Sequence, residues 1–333
     1  MFPDAIRPRS RIIGTGSYLP ERVVENAELE GRLDTTAEWI VEHTGIERRH
    51  VAAEDESTSD MAAAAARRAI ESSGLTVADL DLIILATSTG DSPLPACAVH
   101  LQQKIGADLI PAFDLNASSA GFLYALTVAD QFIGAGTYKT VLVVGADLMS
   151  RVVRPNDRST AVLFGDGAGA VVMSPSKGEN QGILSSRIHA DGAMTELMTI
   201  PGGGSADPLD EEALEAGKHF LHVDGHPLLE ITVKHLTTYS MHALKAARLT
   251  SAELDWVIPQ QANMEIVKVI SDRLGFPLDN FVLNVADCGN TGAASIPIAL
   301  DQAVRDGRVK EGQTVLTCSL GAGICWGAMM IRM

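Results

Sequence analysis

The sequence has few of the residues that mark several large classes of protein. Its four cysteines are far apart and form no C-x-x-C pair, so neither a disulfide framework nor a zinc site is indicated. Lys and Arg number 26 against 42 Asp and Glu, and the net charge of −16 argues against nucleic acid or an anionic membrane as a partner. Because no apolar run is long enough to span a bilayer or act as a secretory signal, we expect a cytoplasmic protein. Because the cysteines lack metal-site spacing, we also expect it to bind no metal.

Apolar residues are plentiful, at 46% of the chain, and they are enough for a large core. Continuous apolar runs predict strands that are covered on both faces, at residues 82–86, 141–145, 170–173 and 315–318. Alanine-rich residues 59–73 favour a helix. Residues 120–133 are apolar nearly all round, which predicts a helix buried in the middle of the domain.

The chain also repeats itself. Residues 75–81 (LTVADLD) are similar to residues 249–255 (LTSAELD), and each segment leads into an apolar run. Further on, the order D-Q then T-V-L occurs at residues 130–142 and again at residues 301–316. Two matches in the same order predict an internal duplication of alternating strands and helices. We place the halves at residues 1–174 and 175–333, packed around one shared site rather than folded as independent domains.

Three short motifs are the most specific signal. Residues 114–122 read DLNASSAGF, residues 258–263 read IPQQAN, and residues 289–295 read GNTGAAS. They resemble D-x-N-A-A-C-A-G-F, V-P-H-Q-A-N and G-N-T-S-A-A-S of the β-ketoacyl-ACP synthase III family of thiolase-fold condensing enzymes. The resemblance places Ser119 where that family has its reactive cysteine and Gln260 where it has its catalytic histidine. It keeps the catalytic asparagine as Asn290.

Further matches at residues 13–20, 36–46, 157–170 and 321–327 extend the resemblance over nearly the whole chain. It implies that Trp39 and Arg158 hold the adenine of coenzyme A, with Asn263 in the same binding site. It also implies an oxyanion hole made by the backbone amides of Ser119 and Ala322. The implied fold is α/β and thiolase-like, with duplicated βαβαβαββ halves in a five-layered αβαβα arrangement, and the implied assembly is a homodimer.

The substitutions change the expected chemistry. A cysteine at a helix N-terminus can have its pKa lowered from about 8.5 to roughly 3.5–7.5, whereas a serine hydroxyl needs a neighbouring base. Gln260 cannot be that base because an amide does not titrate. His189, whose segment HADG resembles the family's H-S-D-G, is the candidate substitute. Gln260 can still donate an N–H to an oxyanion alongside Asn290, so this part of the chemistry is less affected.

The partners expected from the resemblance are an acyl-CoA thioester, as substrate rather than as a permanent cofactor, and an acyl carrier protein. The family docks its acidic carrier on a basic patch, and two positions of that patch are acidic here, Glu230 and Glu265. Like charges reduce affinity and association rate, which would favour free coenzyme A thioesters or a different partner.

Four interpretations stay open at this stage, and the first is favoured because the coenzyme A residues and both oxyanion elements of the family are kept. The first is an acyltransferase of fatty-acid or specialised acyl-chain biosynthesis that uses Ser119. The second is a weak or silent subunit that binds acyl chains or pairs with an active paralogue. The third is a malonyl decarboxylase, which needs oxyanion stabilisation but no nucleophile. The fourth is that Ser119 and Gln260 are engineered replacements. A base within about 2.6–3.2 Å of Ser119 would favour the first.

Overall fold

The computed structural model describes residues 10–178 and 181–333. Their strands are β1 Ser10–Tyr18, β2 Arg22–Glu25, β3 Arg48–Val51, β4 Leu82–Ala86, β5 Ala112–Leu115, β6 Val141–Leu148, β7 Asp166–Pro175, β8 Gly182–Ala190, β9 Met198–Thr199, β10 His222–Val223, β11 Trp256–Pro259, β12 Thr314–Gly321 and β13 Cys325–Arg332. Their α-helices are α1 Asn26–Glu30, α2 Ala37–Thr44, α3 Thr58–Ser73, α4 Cys97–Ile105, α5 Gly121–Gly134, α6 Arg158–Ala161, α7 Glu211–Glu215, α8 Gly225–Ala246, α9 Met264–Leu274, α10 Val285–Cys288 and α11 Ser295–Arg305.

Two sheets organise the chain, and they have the same topology. The first has the strand order β1-β7-β6-β4-β5, and the second has β8-β13-β12-β11. In each, the first three strands are antiparallel neighbours and the fourth joins in parallel. A parallel bridge from Val257 to Phe281 stands where the second sheet would have its fifth strand. The predicted duplication is therefore visible in the sheets.

The helices form three layers around these sheets. Helices α3 and α4 cover the outer face of the first sheet, and α8 and α9 cover the outer face of the second. Helices α5 and α11 lie between the sheets, where their apolar side chains make the central core. The five-layered αβαβα thiolase-like arrangement is confirmed, and so is the buried helix expected near residues 120–133. The division at residue 174 falls at the end of β7 and stays a prediction.

The repeated LT motifs have the same local structure. Thr76 and Asp79 form a capping box around a 3₁₀ turn before β4, and Thr250 and Glu253 form another before β11. In each box the threonine N–H and hydroxyl donate to the carboxylate three residues later. The motif therefore sets the point at which each central strand begins.

Candidate active site

Ser119 lies at the centre of the molecule, just before the buried helix α5. It is in the 3₁₀ turn Ser118–Ala120 and is 4% exposed. Gly321, at the end of β12, lies against this turn so closely that a Cβ on it would be 2.6 Å from Ser119 N. The turn that contains Ser119 is therefore in contact with the glycine-rich segment at residues 321–327, which contains Ala322.

Gln260 follows β11, and its side chain has one fixed orientation. Its amide oxygen accepts a hydrogen bond from the Leu320 N–H at 3.1 Å and lies 3.0 Å from Ser319 Oγ, whose single hydrogen it shares with the Ser119 carbonyl oxygen. A backbone N–H can only donate, so the atom that faces it must be the amide oxygen. Among the described residues the amide NH₂ has no partner, although the residue is only 6% exposed. The Gln260 side chain therefore has a fixed orientation, and its NH₂ is free to donate to an acceptor that the described residues do not provide.

Asn290 repeats this arrangement. Its amide oxygen accepts the Gly292 N–H at 3.1 Å, and within the described part of the chain its NH₂ has no partner either. The residue is 5% exposed, and its backbone pairs with Phe164 in a parallel bridge. Two buried side-chain amides are thus oriented by backbone N–H groups, and each is left with its donors unused.

Ser119, Gln260 and Asn290 are brought together by contacts between the two halves. Ser319 Oγ lies 2.8 Å from the Ser119 carbonyl oxygen as well as 3.0 Å from the Gln260 amide oxygen. The turn after Asn290 reaches the start of α5, where a Cβ on Gly121 would be 3.9 Å from the Ala293 Cβ. The three predicted catalytic residues therefore belong to segments that are in contact with one another between the two sheets.

His189 is on the wrong side of the second sheet to serve Ser119. Its ring contacts Tyr239 of α8 and Trp326, in the layer outside that sheet, whereas Ser119 lies on the inner face with α5. Burial lowers the pKa of the imidazole, and Arg187 and His242 lower it further. Within the described residues Ser119 Oγ makes no hydrogen bond at all. This placement gives no support to His189 as a substitute base.

The three residues predicted to bind coenzyme A lie together on the surface. The Arg158 guanidinium carbon is 4.7 Å from the centroid of the Trp39 ring, a cation–π contact, and the His43 ring stacks on Trp39 at 4.2 Å. Asn263 caps α9 and donates from Nδ2 to the His43 carbonyl oxygen at 3.4 Å. Helices α2, α6 and α9 thus present one aromatic and cationic surface patch.

Cys325 is a feature that the sequence analysis missed. It pairs with Gly321 across β12 and β13, so its side chain is on the inner face of the sheet, and it is half-buried near the Tyr124 hydroxyl. Directly opposite residues have Cβ atoms about 4.5–5.5 Å apart, which brings this thiol near Ser119. Its place in the glycine motif at residues 321–327 was the available signal.

Comparison with known proteins shows the family of this chain. The family described as 3-oxoacyl-[acyl-carrier-protein (ACP)] synthase III matches residues 113–192, and its C-terminal family matches residues 244–333. The chain is 46% identical over 329 residues to a β-ketoacyl-[acyl-carrier-protein] synthase III of Paramagnetospirillum magneticum, covering 98% of this chain and 99% of that protein. The chain belongs to the β-ketoacyl-ACP synthase III family.

Solved synthase III structures superpose closely on this chain. The enzyme of Aquifex aeolicus has a TM-score of 0.90 at 40% identity, covering 97% of this chain and all of that one. The priming β-ketosynthase of the R1128 polyketide pathway has a TM-score of 0.90 at 36% identity, covering 98% and 96%. In the described part of this synthase III family member, no helix could cross a membrane and no cluster of three His, Cys, Asp or Glu side chains could hold a metal.

The surface patch that contains Trp39 and Arg158 leads to a binding prediction. We expect Trp39→Ala to weaken the affinity for coenzyme A about tenfold or more, because stacking of a base on an aromatic ring contributes about 1–3 kcal/mol. Isothermal titration with coenzyme A measures this. Val41→Ala, which removes an exposed apolar side chain from the same helix α2, is the matched control and should leave the affinity unchanged. Equal dissociation constants for wild type and Trp39→Ala would place the adenine elsewhere.

Proposed function

We propose that this chain is a synthase III-type acyltransferase that takes acyl groups from coenzyme A thioesters onto Ser119, at the start of fatty-acid or specialised acyl-chain synthesis. The single observation that carries the proposal is the pair of buried amides, Gln260 and Asn290, whose oxygens are occupied and whose NH₂ groups are not. A subunit without chemistry would have no need to keep these donors oriented in a closed interior.

The first half-reaction would join the acyl group to serine. Ser119 Oγ attacks the thioester carbonyl, the C–S bond breaks, and coenzyme A leaves as the thiol with the serine proton, giving an oxygen ester. The Ser119 and Ala322 amides would stabilise the tetrahedral oxyanion, and the contact of Gly321 with Ser119 N holds the two segments together. Because no base bonds to Ser119 Oγ among the described residues, we expect this half-reaction to limit the rate.

The second half-reaction would use the two amides. Loss of carbon dioxide from a malonyl thioester leaves an enolate, whose oxygen accepts from Gln260 and Asn290. The enolate carbon then attacks the ester carbonyl and forms a C–C bond, the C–O bond to Ser119 breaks, and the serine oxygen takes a proton from water as the 3-oxoacyl thioester leaves. A preorganised oxyanion donor is worth about 3–4 kcal/mol where such donors have been measured. Serine makes the attack harder than cysteine would, because an oxygen ester is less activated than a thioester.

Malonyl decarboxylation alone is the second candidate function. The observation that favours it is the same unpartnered Ser119 hydroxyl, because decarboxylation needs the amide donors but no nucleophile.

The choice between an acyl carrier protein and free coenzyme A thioesters is also part of the proposal. Glu230 is exposed on α8, with His226 Nε2 3.9 Å from its carboxylate, and Glu265 is exposed in the first turn of α9. These charges favour free coenzyme A thioesters over an acidic carrier protein.

The proposal predicts an acyl adduct on Ser119. Intact-protein mass spectrometry after incubation with acyl-CoA thioesters of several chain lengths should show one added acyl group in the wild type and in Cys325→Ala, and none in Ser119→Ala. The Cys325 variant is necessary because that thiol faces the same interior. An adduct that persists in Ser119→Ala and disappears in Cys325→Ala would overturn the assignment. No adduct, together with conversion of malonyl-CoA to acetyl-CoA by all three proteins, would establish the decarboxylase instead.

A further inference from the structure

Asp147, at the end of β6, is a buried carboxylate that the reaction described above does not use. It is 0% exposed. One oxygen accepts the Ala293 N–H at 2.7 Å, and the other accepts the Ser88 N–H at 2.8 Å. Hydroxyls of Thr87, Ser88 and Thr89 lie 3.1–3.3 Å from this second oxygen. Within the described residues no Lys or Arg pairs with it. Burial raises the pKa of this carboxyl, and the Ala293 and Ser88 N–H groups oppose the increase.

Through Ala293 the carboxylate reaches the segment that presents Asn290. Two successive N–H groups of this turn are divided between two acceptors: the Gly292 N–H binds the Asn290 amide oxygen, and the Ala293 N–H binds Asp147. The turn fits the carboxylate closely, because Gly292 has φ +59° and a Cβ on it would be 2.2 Å from Asp147 Oδ2. A carboxylate from the first half therefore fixes the backbone that orients an amide of the second half.

We propose that Asp147 is a positioning residue for Asn290 and that it acts on the decarboxylation step rather than on acyl transfer to Ser119. The inference rests on the proposed function, because it assigns Asn290 to the enolate. Among the described residues, the Ser119 and Ala322 amides of the other proposed oxyanion hole make no hydrogen bond to this carboxylate. Loss of Asp147 should therefore affect the two half-reactions unequally.

Asp147→Asn is a sharp test because an amide cannot replace this carboxylate. Both carboxylate oxygens accept a backbone N–H, and an asparagine has only one oxygen, so either the Ala293 or the Ser88 N–H must face an NH₂ group. A displacement of about 1 Å in a catalytic group can cost 100-fold. We expect kcat for malonyl-CoA decarboxylation to fall about 10- to 100-fold, with KM unchanged and with acyl-adduct formation on Ser119 within about twofold of wild type.

Asp301→Asn is the matched control. Asp301 is also a buried acid of the central layer, bound by Thr15 and Ser17 hydroxyls and by Arg305, but it has no bond to the Asn290 turn. The Asp301→Asn variant should have a lower melting temperature, and any loss of rate should be the same for decarboxylation and for acyl-adduct formation. If Asp147→Asn does not fold, Ser88→Ala removes one hydroxyl donor from the carboxylate and should give the same selective loss, about two- to fivefold.

Three outcomes contradict the inference: both half-reactions fall equally in the folded Asp147 or Ser88 variant, neither falls, or Asp301→Asn shows the same selectivity. An inactive wild type is a different result, because it would overturn the proposed function itself. Wild-type decarboxylation and acylation are therefore measured first, so that the two failures are distinguishable.

Discussion

Ser119→Cys raises the rate of acyl-enzyme formation at least about 100-fold at neutral pH. A positioned general base is typically worth about 10²–10⁴-fold, and serine here has none, whereas a thiol is a few per cent ionised near pH 7 without one. The position before the N-terminus of the 14-residue helix α5 further favours the thiolate. Time-resolved mass spectrometry with acetyl-CoA, in a Cys325→Ala background, measures the rate.

Ser118→Cys is the matched control for this gain. Ser118 belongs to the same 3₁₀ turn and is more exposed than Ser119, and it approaches Gly321 through its Cβ rather than through its backbone nitrogen. A cysteine at residue 118 should therefore not acylate faster than the wild type. If Ser119→Cys is no faster than serine, or if Ser118→Cys accelerates equally, residue 119 is not the acyl acceptor and the proposed transfer is contradicted.

Gly321→Ala abolishes acylation and destabilises the protein. A Cβ at this position would lie 2.6 Å from Ser119 N and 2.8 Å from both the Ala117 carbonyl oxygen and Ser118 Cβ. None of these atoms is at the end of a flexible side chain, so the loop and the turn must separate. Overpacking of this kind costs about 1–3 kcal/mol or more. It would also move the Ala322 amide away from its proposed place in the oxyanion hole, so we expect at least about a 100-fold loss of adduct formation.

Gly31→Ala provides the comparison for this steric effect. Gly31 has φ −68° and nothing within 4 Å of its Cβ position, so alanine there should change neither the melting temperature nor the rate of adduct formation. Differential scanning calorimetry and adduct formation are measured on both variants. A Gly321→Ala protein that melts like Gly31→Ala and acylates like the wild type would mean that the glycine loop does not pack against Ser119.

The regular elements were predictable because their signals are local. Apolar runs marked β4, β6, β7 and β12 within a few residues, and the two LT motifs marked the duplicated starts of β4 and β11. Residues 120–133 have apolar side chains on nearly every face of the predicted helix, which indicated a helix covered on all sides. Helix α5 is indeed enclosed by the two sheets.

The arrangement of the candidate site could not be predicted from local signals. His189 and Ile188 are neighbours in β8, yet only the fold decides which of the two faces Ser119, and it is Ile188 that lies on that side with Leu123 of α5. The orientation of Gln260 depends on Ser319 and Leu320, some 60 positions away. Asp147 belongs to an apolar strand and carried no motif, so its bond to Ala293, 146 positions away, had no signal in the sequence.

The bond between Ser319 Oγ and the Ser119 carbonyl joins residues 200 positions apart, and this has a consequence for the order of folding. Contacts between distant segments form late, because the entropy of closing the intervening loop must be overcome first. During refolding, the helical signal should return before thioester chemistry does. On the ribosome, a chain that already displays the Ser119 turn lacks the proposed donors Gln260, Asn290 and the Ala322 amide until those residues have been added, so we expect activity only after β12 has docked.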